Sequence, residues 1–136
     1  MFTGFDHIDV MVKDIRQASR DYESILGVKP REVAVEQKGQ GYYQTAFPLG
    51  DSGSFIYLMH PTSDSHKYQA GAAMRSTLER RGEGIHVVAL TVDSVDRQIE
   101  HVRKQGEEVI TSAHSHSFFV HPRRMHGVLY QFMERR

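Results

Sequence analysis

Residues 5 to 13 alternate, with the apolar Ile8, Val10 and Val12 on one face and a more polar set, His7, Asp9 and Met11, on the other. This period of two predicts a strand with one apolar face and one polar face. The next apolar residues keep a helical spacing from Ile15 to Leu26, between a capping Asp14 and a terminating Gly27. We therefore predict a strand followed by a helix that ends at Gly27.

The rest of the first half has the pattern of three further strands. Glycine-containing turns at Gly39–Gly41 and Gly50–Gly53 separate the segments, and a proline follows the last one. The predicted strands are Arg31–Gln37, Tyr42–Leu49 and Ser54–His60. The first half is therefore predicted to be a βαβββ module.

The same pattern returns about 80 residues later. At an offset of 80, the four apolar positions Ile8, Val10, Val12 and Ile15 fall on Val88, Leu90, Val92 and Val95. The second module is predicted to contain a strand at Ile85–Val92, a helix at Val95–Gln105, and strands near Glu108–Ser112, Ser117–His121 and Gly127–Met133. Each copy is too small to bury a core alone, so the two copies should pack together and enclose a shared cleft.

A chain of 136 residues has the length of one domain. We divide it into module 1 at about residues 1–62, a polar linker at about 63–83 that is helical over 70–81, and module 2 at about 84–136. Neither half has the length or the composition of an independent domain.

The balance of charge excludes several classes of function. Lysine and arginine together number 17, as do aspartate and glutamate, so no basic field favours nucleic acid or a membrane surface. There is no cysteine, which excludes disulfides and thiolate metal sites. The first residues lack the features of a secretory signal, so we expect a cytoplasmic protein. The compositional oddity is the number of histidines, nine.

Four segments resemble the vicinal oxygen chelate superfamily, which includes glyoxalase I, methylmalonyl-CoA epimerase, extradiol dioxygenases and bleomycin resistance proteins. These segments are Phe5–Asp14, Tyr22–Gly27, Arg80–His86 and His121–Tyr130. The likeness is greatest to the epimerase and glyoxalase branch. The resemblance implies an α+β fold in which two βαβββ modules form a half-open, barrel-like sheet around a cleft. It also implies a homodimer.

In that family a divalent metal is held by His, Glu or Gln, His and Glu, one from each of four strands. The corresponding positions here are His7, Tyr57, Val87 and Gln131. His7 is a standard ligand and Gln131 offers a neutral amide oxygen, whereas a phenol with a pKa near ~10 binds metal poorly at neutral pH. We expect a degenerate metal site, with no cofactor or a weakly bound Zn²⁺, Co²⁺, Ni²⁺ or Mn²⁺ ion.

His86 lies one residue before the third ligand position. An offset of 79 pairs it with His7, but this register places Ser94 on Ile15 and spoils the apolar face. The offset of 80 keeps that face and turns His86 toward the helix side. His86 is therefore a metal ligand only if the strand is bulged.

The remaining polar groups predict a site for proton transfer. His7 is expected to carry the proton or hold the metal, while Tyr57 and Gln131 stabilise an oxyanion. The resemblance adds Glu36 as a reserve base on the second strand. Four residues are predicted to bind the substrate, two beside His7 and two able to receive a phosphate or carboxylate such as a CoA tail: Asp9, Met11, Arg123 and Arg124.

Two functions follow from these residues. The first is a small-molecule isomerase or lyase of the methylmalonyl-CoA epimerase and glyoxalase type, which transfers a proton next to a carbonyl. The alternative is a metal-free protein that binds and sequesters an apolar or aromatic small molecule, as resistance proteins of this fold do. The two differ in one observable property, because only a catalyst consumes its ligand.

Overall fold

A computed structural model describes residues 1–111 and 116–135. In this part of the chain the elements are β1 Phe2–Met11, α1 Ile15–Leu26, β2 Glu32–Gln37, β3 Tyr42–Pro48, β4 Phe55–Pro61, α2 Gln69–Arg81, β5 Gly84–Val92, α3 Val95–Lys104, β6 Ile110–Thr111, β7 Ser117–Val120 and β8 Tyr130–Glu134. The α+β class and the repeated βαβββ order are confirmed. No helix in the described ranges has both the length and the apolar character needed to cross a membrane.

Both ends of α1 lie where the sequence predicts them. The Asp14 side chain accepts a hydrogen bond from the Gln17 backbone N–H at 3.1 Å, which satisfies a donor of the first turn. Gly27 adopts a left-handed conformation with φ 67°, and its N–H donates to the Glu23 carbonyl at 2.9 Å. A capping aspartate and a terminating glycine thus fix the length of this helix.

The linker between the repeats is more ordered than its polar sequence suggests. A 3₁₀ turn at Ser65–Lys67, which the sequence pattern does not predict, precedes α2. Gly71 on α2 packs so closely on Gly41 that an added Cβ would lie 2.6 Å from the Gly41 carbonyl oxygen. Only glycine fits at position 71, and the linker helix is therefore held against the β2–β3 turn.

The second module differs from the prediction in its shortest strand. The predicted strand Glu108–Ser112 is reduced to the two residues of β6, and Ser112 lies outside the described residues. Its partner is β7, where Ile110 pairs with Phe119. The order of elements is otherwise the predicted one.

The chain divides into two compact units. The first-repeat unit is Ile8–His86, and the second-repeat unit combines Met1–His7 with Val87–Arg136. The first seven residues therefore belong to the same unit as the second repeat. His7 and His86, the last residues before each division, fall in different units.

In the first-repeat unit the strand order is β2-β3-β4-β1. Helix α1 covers one face, where the buried core contains Val10, Val12, Ile15, Phe47 and Leu58. Helix α2 covers part of the other face, where Met74 packs in a cluster with Met11, Tyr42 and Met59. We call these the α1-side face and the α2-side face. Apolar burial on both sides stabilises the strands.

In the second-repeat unit the strand order is β1-β5-β8-β7-β6. Strands β5 and β8 are parallel, and β7 and β8 are antiparallel. Helix α3 packs on a core that includes Val92, Phe118 and Val120, with Phe132 beside it. The rings of Phe118 and Phe132 stack with centroids 5.0 Å apart.

Candidate functional site

The α2-side face of the first-repeat unit carries a set of polar side chains. In β3 and β4, Gln44 lies opposite Met59 and Ala46 lies opposite Tyr57, so these residues share one face. Met11 packs with Met59 on this face. Asp9 is two residues from Met11 on β1 and therefore points to the same side. The predicted Asp9 and Tyr57 thus occupy one face of one unit.

Asp9 is the buried carboxyl group of this face, with 6% of its surface exposed. Its charge affects two neighbouring groups. Burial raises the pKa of Tyr42, and the nearby Asp9, Tyr57 and Glu32 raise it further. Burial lowers the pKa of His86, while the Asp9 carboxylate opposes that shift. Asp9 therefore lies close enough to Tyr42 and His86 to interact with their charges.

The environment of His86 favours a neutral imidazole. Burial is the largest cause of its lowered pKa, and the positive charge of Arg81 lowers the pKa further. A lowered pKa leaves the ring uncharged at neutral pH, with one nitrogen able to accept a proton. His86 therefore offers a proton-accepting nitrogen within the first-repeat unit.

The Tyr42 phenol remains protonated at neutral pH and is held in a hydrogen bond. The pKa of Tyr42 is raised by burial, and its hydroxyl donates to the Gln40 side-chain oxygen at 2.9 Å. The Gln44 amide donates to the Glu32 carboxylate at 2.7 Å. These bonds fix the borders of the face around Asp9 and Tyr57.

Neither Glu36 nor Met11 is available to a substrate at this site, for two different reasons. Glu36 pairs with Tyr43, which packs against the core beneath α1, so Glu36 lies on the α1-side face and is exposed. Its neighbour Gln37 pairs with Tyr42 on the α2-side face. Met11 does share the face, but it is completely buried in the cluster beneath α2 and offers no surface to a substrate.

His7 lies in the second-repeat unit and is held by a carboxylate. Its Nδ1 is 2.7 Å from an oxygen of Asp6, and since an ionised carboxylate only accepts, Nδ1 carries the proton. The other Asp6 oxygen accepts from Arg135 Nε at 3.0 Å. Arg135 also donates to the Phe5 carbonyl at 3.0 Å. We call these side chains the Asp6–His7–Arg135 network.

Gln131 shares a face with His7 in this unit, as the sequence predicts. Thr3 donates to Thr91 at 3.0 Å, which aligns the odd-numbered residues of β1 with those of β5. Gln131 pairs with Ala89, on the same face of β5. Its amide donates to the Ser117 hydroxyl at 3.0 Å. Val87 is buried on this strand, with 4% of its surface exposed.

Arg123 and Arg124 are exposed in the segment that joins β7 to β8. The Arg124 guanidinium is paired with the Glu107 carboxylate. The Arg123 backbone N–H donates to His121 Nδ1 at 3.0 Å. The structure thus places one of the two predicted anion-binding arginines in an ion pair within the second-repeat unit.

Comparison with known proteins identifies the family of this chain. Residues 6–120 match the model of the Glyoxalase/Bleomycin resistance protein/Dioxygenase superfamily. The chain belongs to this superfamily. The uncharacterized protein YqjC of Bacillus subtilis strain 168 is 27% identical over 137 residues, which cover 95% of this chain and 90% of that protein.

Solved structures of the superfamily agree in fold over almost the whole chain. A hypothetical protein of Bacillus halodurans C-125 is 29% identical with a TM-score of 0.80, covering 97% of this chain and 94% of that one. Methylmalonyl-CoA epimerase from Mycobacterium tuberculosis is 26% identical with a TM-score of 0.78, covering 99% and 89%. A Streptomyces coelicolor methylmalonyl-CoA epimerase in complex with 2-nitronate-propionyl-CoA is 25% identical with a TM-score of 0.77, covering 97% and 94%.

The residues at the superfamily's metal-binding positions do not fit a divalent ion. Within residues 1–111 and 116–135, no three His, Cys, Asp or Glu side chains are grouped so that they would hold a metal. Val87 has no donor atom, and Gln131 offers only a neutral amide oxygen. A hard divalent ion prefers several carboxylate or imidazole ligands. We therefore derive no chemical step through a metal.

Two features of these sites escape sequence reasoning. Asp6 and Arg135 are separated by 129 residues, and no periodic pattern connects them. The interaction of Asp9 with His86 depends on tertiary structure, because the two residues lie on different strands 77 residues apart in the chain. The signal available in the sequence is the Asp6-His7 dipeptide itself, because a carboxylate beside a histidine is a common orienting pair.

Proposed function

We propose that this protein is a small-molecule isomerase or lyase that transfers a proton next to a carbonyl group. The observation that carries the proposal is the buried Asp9 carboxyl group, which shares its face with Tyr57. An enzyme that inverts a carbon centre needs one group to remove the proton and a second to return it. The likeness to methylmalonyl-CoA epimerases, at 25–26% identity, supports this choice.

The proposed roles follow from the chemistry of each group. One of the two proton acceptors, Asp9 or neutral His86, takes the proton as the carbon–hydrogen bond breaks, and the carbonyl becomes an enolate. The Tyr57 hydroxyl donates a hydrogen bond to the enolate oxygen. Return of the proton by the group that took it restores the original centre. Inversion requires the second group to deliver a proton to the opposite face, and that group must first take up a proton from water.

The resemblance also predicts His7 as the proton carrier, with Gln131 at the oxyanion. Both residues lie in the second-repeat unit, and Nδ1 of His7 is engaged with Asp6. We favour His86 because it lies in the same unit as Asp9 and Tyr57, and because burial lowers the pKa of its imidazole. Variants of the two histidines distinguish these assignments.

The test is exchange of the α-proton in D₂O, followed by NMR. The first substrates are methylmalonyl-CoA and the hemithioacetal of methylglyoxal. We expect exchange by the wild type and a rate lowered by about 10²–10⁴-fold in Asp9→Asn, which removes the charge with little change in shape. Asp51→Asn, in the exposed β3–β4 turn, is the matched control and should leave the rate unchanged. Absence of exchange with both substrates, with and without added Zn²⁺, Co²⁺, Ni²⁺ or Mn²⁺, would contradict the proposed activity.

A second candidate function is metal-free binding of an aromatic or apolar small molecule. The stacked rings of Phe55 and Tyr57, 5.4 Å apart at 4°, favour it because they place two aromatic side chains side by side on the α2-side face. A binding protein would show saturable thermal stabilisation without turnover. A catalyst would consume substrate at substoichiometric protein concentration.

We also propose that the protein forms a homodimer, as the resemblance implies. Size-exclusion chromatography with light scattering should give about twice the mass of 15.6 kDa. A monomer at micromolar concentration would contradict the dimer without affecting the proposed chemistry.

A further inference from the structure

Three groups stack in a line on the α2-side face of the first-repeat unit. The Phe55 and Tyr57 rings lie 5.4 Å apart and nearly parallel, at 4°. The guanidinium carbon of Arg31 lies 5.0 Å from the centroid of the Phe55 ring. We call this line the Arg31–Phe55–Tyr57 stack. It extends from a residue of the proposed site to a positive charge at the surface.

The position of Arg31 is fixed while its hydrogen-bond donors remain available. Its backbone N–H donates to the Ala46 carbonyl at 2.8 Å, and its guanidinium rests on Phe55 through a cation–π contact. Across residues 1–111 and 116–135, no carboxylate lies within ion-pair distance, 4.0 Å, of that guanidinium. The adjacent Glu32 is instead bonded to the Gln44 amide at 2.7 Å.

This arrangement differs from that of arginines with a structural role. Arg124 and Arg135 are each paired with a carboxylate of their own unit. Arg75 donates to the Ser65 hydroxyl at 2.6 Å and to the Thr62 carbonyl at 2.7 Å. A guanidinium stacked on a ring and facing solvent keeps a planar fork of donors, which matches the two oxygens of a carboxylate or phosphate.

We propose that Arg31 determines substrate specificity by binding the anionic end of the substrate. The substrate class is a small carbonyl compound with a terminal carboxylate or phosphate. Its apolar middle lies along the edges of the stacked Phe55 and Tyr57 rings, and its reacting end reaches Tyr57. This inference rests on the proposed function, because it uses the same face. It adds that a neutral analogue of the same shape binds more weakly, since the Arg31 charge is then left without a partner.

The test measures binding without turnover, so that its failure can be distinguished from failure of the proposed function. The probes are 3-phenylpropionate and its neutral amide, titrated into ¹⁵N-labelled protein and followed by backbone amide shifts. We expect the anion to perturb the segments around Arg31 and Phe55 and to bind about tenfold more tightly than the amide. Equal binding of the two probes, or no binding of the anion, would overturn the inference.

Variants assign the discrimination to one residue. Arg31→Met should abolish the preference for the anion, and Arg31→Lys should retain part of it because the charge remains but the fork is lost. Arg16→Met, an exposed arginine on α1, is the matched control and should bind as the wild type does. The inference would be contradicted if a folded Arg31→Met protein bound the anion and the amide with the wild-type ratio of affinities. If Arg31→Met does not fold, the same ratio in Arg31→Lys would contradict it.

Turnover provides the second readout. If the wild type exchanges the α-proton of an anionic substrate, Arg31→Met should raise KM by about tenfold with little change in kcat, since the contact is remote from the reacting carbon. An unchanged KM would overturn the inference while leaving the proposed function in place. Anion binding without any exchange would leave Arg31 as the binding residue and reject the catalytic proposal.

Discussion

The two histidines that open equivalent strands of the repeats have different surroundings. In the second-repeat unit, His7 donates from Nδ1 to Asp6, and Asp6 also accepts from Arg135. In the first-repeat unit, His86 has a pKa lowered mainly by burial, with Asp9 and Arg81 acting in opposite directions. One ring is oriented by a hydrogen-bonded carboxylate, and the other is kept neutral by its environment.

Residues at equivalent positions of the two repeats can therefore have different chemical roles. A hydrogen bond to a carboxylate sets the tautomer and the angle of an imidazole. Burial without such a bond instead disfavours the charged form and leaves a base at neutral pH. His7, at the family's first metal-binding position, is therefore not the proton carrier by position alone. His86, next to the third position, is the residue to test for proton transfer.

The largest expected effect on stability comes from removing the Asp6 carboxylate, which is hydrogen-bonded to His7. Asp6→Ala should lower the free energy of unfolding by about 1–3 kcal/mol, because the buried His7 Nδ1–H loses its acceptor. Urea denaturation measures this change. Arg135→Ala should cost less, since its side chain is 44% exposed and water replaces the lost bonds.

Asp51→Ala in the β3–β4 turn is the control for these variants, because this side chain is exposed. The losses of unfolding free energy in Asp6→Ala and Arg135→Ala should not be additive in the double variant, since both residues belong to one network. Strict additivity, or a loss in Asp6→Ala no greater than in Asp51→Ala, would show that the network does not stabilise the protein.

Sequence patterns predict the elements of this fold well because each signal is local. Asp14 and Gly27 mark the two ends of α1, and glycine turns separate β2, β3 and β4. The face on which Glu36 lies is not a local property. Ala34 has φ 49° and the β2–β3 register shifts between Glu32 and Val35, which decides whether residue 36 or 37 faces Tyr42.

The candidate site is predicted only in part. The period of two assigns Asp9 to the polar face of β1, and the resemblance assigns Tyr57 to the site. In the structure both lie on the α2-side face. The partners of His7 and the burial of His86 depend on tertiary structure, because Arg135 is 129 residues from Asp6 in the chain. The 3₁₀ turn at Ser65–Lys67 has no periodic signal, since it lies in a polar segment.

The metal content of the protein tests whether His7 is a metal ligand. A carboxylate that accepts from one ring nitrogen is also the usual support of a metal-bound histidine. We nevertheless expect well below one equivalent of divalent ion in the wild type, because Val87 supplies no ligand and Gln131 supplies no charge. Elemental analysis of the wild type, His7→Ala and Val87→His tests this expectation.

Metal gained only in a folded Val87→His protein would support a site that has kept its fold and lost its ligands. Circular dichroism is the control for folding, because Val87 is buried. Stoichiometric metal in the wild type that is lost in His7→Ala would contradict the account of this position.

A smaller effect is the pH dependence of stability that arises from His86. Its pKa in the folded protein is lowered from 6.5, so the unfolded chain takes up a proton at a higher pH than the folded chain does. Stability should therefore fall as the pH drops below about 6.5. Urea midpoints between about pH 5 and 8 should show this slope in the wild type and a reduced slope in His86→Gln. His101→Gln, exposed on α3, should keep the full slope.

The same group can be observed directly by NMR titration. Because the Asp9 carboxylate raises the pKa of His86 against the effect of burial, Asp9→Asn should lower that pKa further. A His86 midpoint above 6.5 in the wild type, or one that does not move in Asp9→Asn, would contradict the assigned environment.

The most direct test of the account compares α-proton exchange in His86→Gln and His7→Gln, with the substrate that the wild type exchanges. The account assigns proton transfer to the neutral imidazole of the first-repeat unit. His86→Gln should therefore lower the exchange rate by about 10²-fold or more, whereas folded His7→Gln should stay within about threefold of the wild type. The reverse result, with exchange lost in His7→Gln and kept in His86→Gln, would contradict the account and assign the proton transfer to His7.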